Sequence, residues 1–226
     1  MGSDDLFHKR KHRQINSLRR RKPQRDPYDM VLIVCEGKKT EPNYFCDLRD
    51  DLKLNTANIL VTGETEGSSP INVVNFALDK YKNDKEYNHI FCVFDKDRHP
   101  SYKEAMDKIK QTKLGKGCTI HAIPSVPCFE FWLLLHYTFT TKNFTKGHKS
   151  LCTNVSSDLK KYISDYEHGK QGVYQLVKDR LEMAIRHANQ VAHYCQEGGT
   201  DTPSTEVHTL VQYLRQLKKK LSRTIV

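Results

Sequence analysis

The sequence has no run approaching the roughly 18 apolar residues that a membrane-spanning helix needs, and no apolar signal-peptide core follows its basic N-terminus. We therefore expect a soluble, cytoplasmic protein. A Walker nucleotide-binding motif is also absent, because neither residues 63–67 nor residues 115–117 supply the required glycine, lysine and hydroxyl spacing. A nucleotide-driven partner, such as an ATPase, would accordingly be a separate chain.

Disulfide and zinc frameworks also have little support. The seven cysteines are an odd number, and none forms a Cys-x-x-Cys pair, so reduced thiols are expected. Cys118 with His121, and Cys128 with His136, have spacings that would allow contact with one metal ion. No second pair completes a zinc site around either, which disfavours zinc.

Positive charge is concentrated at the N-terminus. The formal net charge is +10, and residues 1–26 contribute +6 of it through nine Lys or Arg against three acids. Because apolar residues are few there, we predict that residues 1–28 form a flexible basic arm that orders on a partner, with a solvated tail as the alternative. The arm's candidate contacts to nucleic-acid phosphates are Arg19, Arg20, Arg21 and Lys22.

The rest of the chain alternates between strand-like apolar runs and helical patterns. Strands are predicted at residues 30–35, 57–62, 89–94 and 118–123, with helices at 40–54, 71–83, 100–112 and 129–136. This alternation predicts an α/β core over residues 29–150, with a parallel sheet of about four strands flanked by helices. No strand pattern persists beyond residue 151, so residues 151–226 are predicted as a helical extension packed on the core, with helices at 173–191 and 204–221.

Carboxylates follow two of the predicted strands. Glu36 comes directly after the first strand, and Asp95 and Asp97 come directly after the third. Ligands of parallel sheets bind beyond the carboxyl ends of the strands, and residues two apart in an extended segment point to the same side. Such acids are often only solvated loop residues, but their combination favours a site for Mg²⁺, with Mn²⁺ as a substitute.

Four segments resemble the motifs of RloB-like proteins, which are prokaryotic proteins with a TOPRIM catalytic core, often associated with restriction and antiphage defence loci. These segments are VLIVCEGKKTEPNYF, HIFCVFDKDRH, SVPCFEFWLLLHY and TPSTEVHTLVQYL. The resemblance implies a TOPRIM-like sheet, a Glu36 that acts in general acid/base chemistry or helps to hold metal, and an Asp95 and Asp97 pair that binds metal. Other TOPRIM enzymes need a zinc module or a separate domain with a tyrosine nucleophile, which a chain of 226 residues without a Cys-x-x-Cys pair does not accommodate.

Further candidates have weaker support. Glu130 is a candidate fourth carboxylate, although an acid in the first turn of a helix also suits the helix dipole. Lys38 and Lys39 are placed to meet a phosphate, and Lys170 is a further candidate for the same role. His136 is a candidate ligand or proton carrier, or alternatively a hydrogen-bonded core histidine.

The expected function is hydrolysis of phosphodiester bonds by a metal-dependent nuclease, in antiphage defence or a restriction-associated system. The sequence leaves DNA, tRNA and other RNA open as substrates, and gating by a partner or an oligomeric state is expected. One rival is a nucleic-acid-binding protein whose Mg²⁺ is structural. Another is an Asp-x-Asp phosphotransfer enzyme, although His99 occupies a position where such phosphatases usually have Thr or Val.

Overall fold

The computed structural model describes residues 29–224, apart from residues 66, 68, 97, 98, 116 and 145–149. Its strands are β1 Val31–Cys35, β2 Ile59–Thr62, β3 His89–Asp95, β4 Thr119–Val126 and β5 Ser204–Thr205. They form one sheet in the order β2-β1-β3-β4-β5, in which the first four strands are parallel and β5 is antiparallel to β4. The predicted α/β class and the mostly parallel sheet are confirmed.

Helices connect the strands and follow the sheet. They are α1 Thr40–Asp51, α2 Pro70–Asn83, α3 Tyr102–Gln111, α4 Glu130–Leu135, α5 Leu151–Leu159, α6 Val173–Val177, α7 Leu181–Gly198 and α8 Val207–Thr224. A 3-10 turn joins α6 to α7, so the predicted continuous helix 173–191 is interrupted. None of the described helices is long and apolar enough to cross a membrane.

Helices cover both faces of the sheet. On β1, Val31 and Ile33 belong to a hydrophobic cluster with residues of α1 and α4 to α8, whereas Leu32 and Val34 belong to a second cluster with residues of α2 and α3. A strand covered on both faces is apolar at every position, which is why β1 has no polar alternation. The first cluster joins residues before and after residue 150, so the helical extension shares its core with the sheet.

The sheet has one strand more than predicted. The fourth strand was predicted to end at residue 123, and the next residue is Pro124, which has no backbone N–H to donate. The strand continues because Pro124 and Ser125 pair with the end of β3, and Ser125 also pairs with Thr205 of β5. The helix predicted from residue 204 therefore begins only at Val207.

The strand order creates a crevice between β1 and β3. The chain leaves β1 towards β2 on one side, and β3 lies on the other side of β1. Connections in opposite directions leave an open space at the carboxyl ends of the two strands, where α/β proteins bind their ligands. The backbone N–H of Glu36 donates to the carbonyl of Val93 at 2.9 Å, which holds this edge together.

Candidate active site

A cavity of about 420 Å³ lies at the crevice. It is lined by residues 37–41 after β1, by Asp95 at the end of β3, by residues 128–130 at the start of α4, by Cys152 of α5, and by residues 168–169. Segments far apart in the chain therefore meet at the predicted edge of the sheet. We call the four acids gathered there, Glu36, Glu41, Asp95 and Glu130, the carboxylate cluster.

Glu36 and Asp95 join the two central strands. The Glu36 carboxylate accepts a hydrogen bond from the backbone N–H of Asp95 at 3.0 Å. Burial raises the pKa of Asp95 well above its usual value, and the negative charges of Glu41, Glu130 and Glu36 raise it further. Ionised acids at these positions therefore repel one another.

Glu41 also belongs to the cluster, although no sequence pattern singled it out. It lies in the first turn of α1 and is only 7% exposed. Burial raises its pKa from 4.5 to about 7, with the charges of Glu130 and Glu36 adding to the shift and backbone N–H groups of Glu41 and Gly37 opposing it. An acid near the start of a helix is common, so its position in the sequence carried no specific signal.

Gly37 allows this arrangement because the Glu41 carboxylate lies directly against it. A Cβ at Gly37 would come within 2.8 Å of Glu41 Cδ, which is closer than real Cβ contacts. The glycine of the Glu36-Gly37 turn is thus needed for the close approach of a side chain.

Glu130 has an environment opposite to that of Asp95. It is 3% exposed, and its Oε1 accepts from the Tyr166 hydroxyl at 2.8 Å and lies 2.8 Å from His168 Nδ1. Burial alone would raise its pKa, but the bonds from His168 and Tyr166 lower the pKa of Glu130 below its usual value. The same bond raises the pKa of His168. Neither Tyr166 nor His168 was predicted, because they belong to a turn-rich segment without periodicity.

The cluster therefore contains carboxylates whose pKa values are shifted in opposite directions. Glu130 is held ionised by its donors, whereas Asp95 and Glu41 favour the protonated form. Environments that separate the pKa values of neighbouring acids are typical of sites that perform acid/base chemistry.

A hydrogen bond between the Thr40 side chain and the Gly169 backbone, which we call the backbone clip, lies at one side of the cavity. The Thr40 hydroxyl accepts from the backbone N–H of Gly169 at 2.8 Å, and Lys39 occupies the cap position of α1 without a side-chain bond. Lys38 and Lys39 are exposed and belong to the cavity lining.

Other predicted residues lie elsewhere. Lys170 pairs with Asp165 at 2.7 Å and does not line the cavity. His136 is fully buried in the core, where its Nδ1 bonds the carbonyl of Trp132 at 3.0 Å. Asp97 and the arm residues Arg19, Arg20, Arg21 and Lys22 lie outside the described residues.

The cluster supplies the oxygen donors that a hard cation such as Mg²⁺ prefers, and a cation would relieve the repulsion among its ionised acids. Within the described part of the chain, however, no three His, Cys, Asp or Glu side chains are grouped so that they could hold a metal ion. One of the two candidate zinc pairs, Cys118 with His121, is divided between the two faces of the sheet. Cys118 packs in the second hydrophobic cluster, whereas His121 stacks on Phe91 on the opposite face of the sheet.

The fold and the site define an α/β protein with a carboxylate cluster at the switch point of a parallel sheet. A family model described as RloB-like protein matches residues 31–214. The chain belongs to the RloB-like family. No curated protein and no solved structure matches it.

Proposed function

We propose that this chain is a metal-dependent nuclease that hydrolyses phosphodiester bonds in nucleic acid. The observation that carries the proposal is the convergence of four carboxylates at the crevice between β1 and β3, with Lys38 and Lys39 on the rim. A nuclease needs negative groups to hold a cation and positive groups to meet the phosphate, and this cavity offers both.

Each residue has a distinct proposed role. Asp95 and Asp97, with Glu36, would hold Mg²⁺, which supplies Lewis-acid activation of phosphate and water when bound. Glu41 is suited to accept a proton from the attacking water, because burial raises its pKa to about 7, near the operating pH. Glu130, which its donors His168 and Tyr166 keep ionised in a buried position, would orient that water or the cation. Lys38 and Lys39 bind the phosphate oxygens and orient the scissile bond.

We also propose a cellular setting. The family resemblance supports a role in prokaryotic antiphage defence or a restriction-associated system, and the basic arm supports nucleic acid as the partner. An uncontrolled nuclease would harm its host, so we expect a separate activating chain or an oligomeric state to gate the activity.

The test is cleavage of a panel of plasmid, single-stranded DNA, tRNA and unstructured RNA in Mg²⁺ and in Mn²⁺. Asp95→Asn keeps the shape of the side chain and removes its ability to ionise. Because Asp95 already favours the protonated form when no cation is bound, the variant is expected to fold at least as well as the wild type in EDTA. Glu104→Gln is the matched control, because Glu104 is an exposed acid on α3, on the other side of the sheet. Asp97→Asn tests the second acid of the pair.

Metal-dependent cleavage that is lost in Asp95→Asn and Asp97→Asn but kept in Glu104→Gln supports the proposal. Equal cleavage by all four proteins refutes the site. Nucleic-acid binding that survives EDTA, without cleavage of any substrate by the wild type, favours the non-catalytic binding protein instead.

A further inference from the structure

A group of large apolar and aromatic side chains is exposed on the helical side of the molecule. Tyr162 is 48% exposed, Phe139 is 45% exposed and Leu176 is 51% exposed. Tyr137 connects this group, since its hydroxyl donates to the carbonyl of Leu176 at 3.5 Å and its ring contacts that of Tyr162. We call Tyr137, Phe139, Tyr162, Leu176 and Arg180 the aromatic surface.

Its centre is an ordered stack. The rings of Tyr137 and Tyr162 lie nearly parallel, with 4.9 Å between centroids and 14° between planes. The Arg180 guanidinium lies over the Tyr137 ring at 5.0 Å. The large exposed fraction of Tyr162 leaves ring surface available to a further flat group, which would extend the stack.

The charges around the stack are predominantly positive. Lys142 and Lys161 both pair with Asp158, each at 2.7 Å, so two cations share one carboxylate beside Tyr162. Arg180 adds a third positive charge at the other tyrosine. A flat partner with negative charge at its periphery complements this combination, and an unpaired nucleotide has both properties.

The aromatic surface is close to the carboxylate cluster. α4 begins at Glu130 in the cavity, and Tyr137 follows its C-terminal end, about 10 Å away at the usual helical rise. A second connection runs through Tyr166, whose hydroxyl donates to Glu130 and which follows Tyr162 by four residues. Two short chain segments, residues 130–137 and 162–166, thus link the aromatic surface to the carboxylate cluster.

We propose that the aromatic surface binds unpaired bases of a single-stranded nucleic acid by stacking on Tyr162. The inference rests on the proposed nuclease function and specifies its substrate class as single-stranded or locally unpaired. The bases of a duplex are stacked on one another and present no free face to Tyr162. The surface consequently discriminates single strands from duplexes, whereas the basic arm attracts both.

The experiment measures equilibrium binding of the full chain to fluorescent single-stranded and duplex oligonucleotides of equal length, in EDTA so that metal-dependent cleavage is excluded. Tyr162→Ala is expected to weaken single-strand binding at least about fivefold and duplex binding by less than about twofold. Tyr162→Phe keeps the ring and should retain the wild-type affinity. Tyr194→Ala is the control, because Tyr194 is 47% exposed but lies about 20 Å along α7 from Arg180.

The inference is overturned if Tyr162→Ala changes neither affinity, changes both equally, or behaves like Tyr194→Ala. An altered oligomeric mass of Tyr162→Ala with unchanged nucleic-acid binding would assign the surface to protein association instead. Selective loss of single-strand binding in a chain that never cleaves would keep this inference and remove the nuclease. Unchanged single-strand binding in Tyr162→Ala, together with Asp95-dependent cleavage by the wild type, would overturn this inference and support the nuclease.

Discussion

His136 is expected to make the protein less stable in acid. Its side chain is fully buried, its Nδ1 bonds the carbonyl of Trp132, and among the described residues its Nε2 has no hydrogen-bond partner. Burial lowers the pKa of His136 from 6.5 to about 4. Between these two values the unfolded chain binds a proton that the folded chain does not, so stability falls as the pH falls.

The size of the effect follows from the two pKa values. The His136 contribution to the free energy of unfolding is complete above pH 7, falls by about 2 kcal/mol by pH 5, and falls by about 3 kcal/mol by pH 4. Glu41 acts in the opposite direction, because an acid whose pKa is raised by folding stabilises the folded chain more as the pH falls. The wild-type curve alone therefore does not isolate His136.

The assay is chemical denaturation of the wild type and His136→Leu between pH 8 and pH 5, with the difference in free energy of unfolding plotted against pH. The difference should shift by about 2 kcal/mol in favour of the variant as the pH falls. His193→Leu is the control, because His193 is exposed on α7 and lacks the burial on which the His136 effect depends. Parallel curves for the wild type and His136→Leu would refute the assignment of His136 as a neutral core residue.

Two further predictions concern the carboxylate cluster and its backbone clip. Gly37→Ala displaces the Glu41 carboxylate, which is the end of a flexible side chain, and should lower the free energy of unfolding by about 1 kcal/mol. Gly198→Ala, where the nearest atom is 3.6 Å away, should raise it by about 0.5 kcal/mol, and equal effects in a denaturant titration would contradict the close approach. Thr40→Val leaves the Gly169 N–H without its acceptor and should cost about 1–3 kcal/mol, whereas Thr40→Ser keeps the hydroxyl. Hydrogen exchange at the Gly169 amide should accelerate only in the valine variant, and protection that is unchanged there would mean that the clip does not form.

The sequence was sufficient for the class of fold and for one edge of the site. β1 and β3 are apolar at nearly every position because both of their faces are covered, and their alternation with helices requires a parallel sheet. Glu36 and Asp95 could be selected because they stand at the ends of such strands. Position along one strand is a local property, which a single sequence displays directly.

β5 could not be predicted in the same way. A strand of two residues has no alternation to detect, and Ser204 and Thr205 adopt it only because the edge of β4 is available for pairing. β4 continues past Pro124 because Pro124 and Ser125 pair with the end of β3. The two outcomes depend on contacts between segments about 80 and about 30 residues apart.

Tertiary structure alone decided which acids meet and how they are tuned. Glu130 remains ionised because Tyr166 and His168, 36 and 38 residues later in the chain, donate to it. Glu41 and Asp95 gain proton affinity because packing buries them beside other negative charges. Sequence fixes which side chains are ionisable, but burial and the neighbours that set their pKa values exist only after distant segments have packed together.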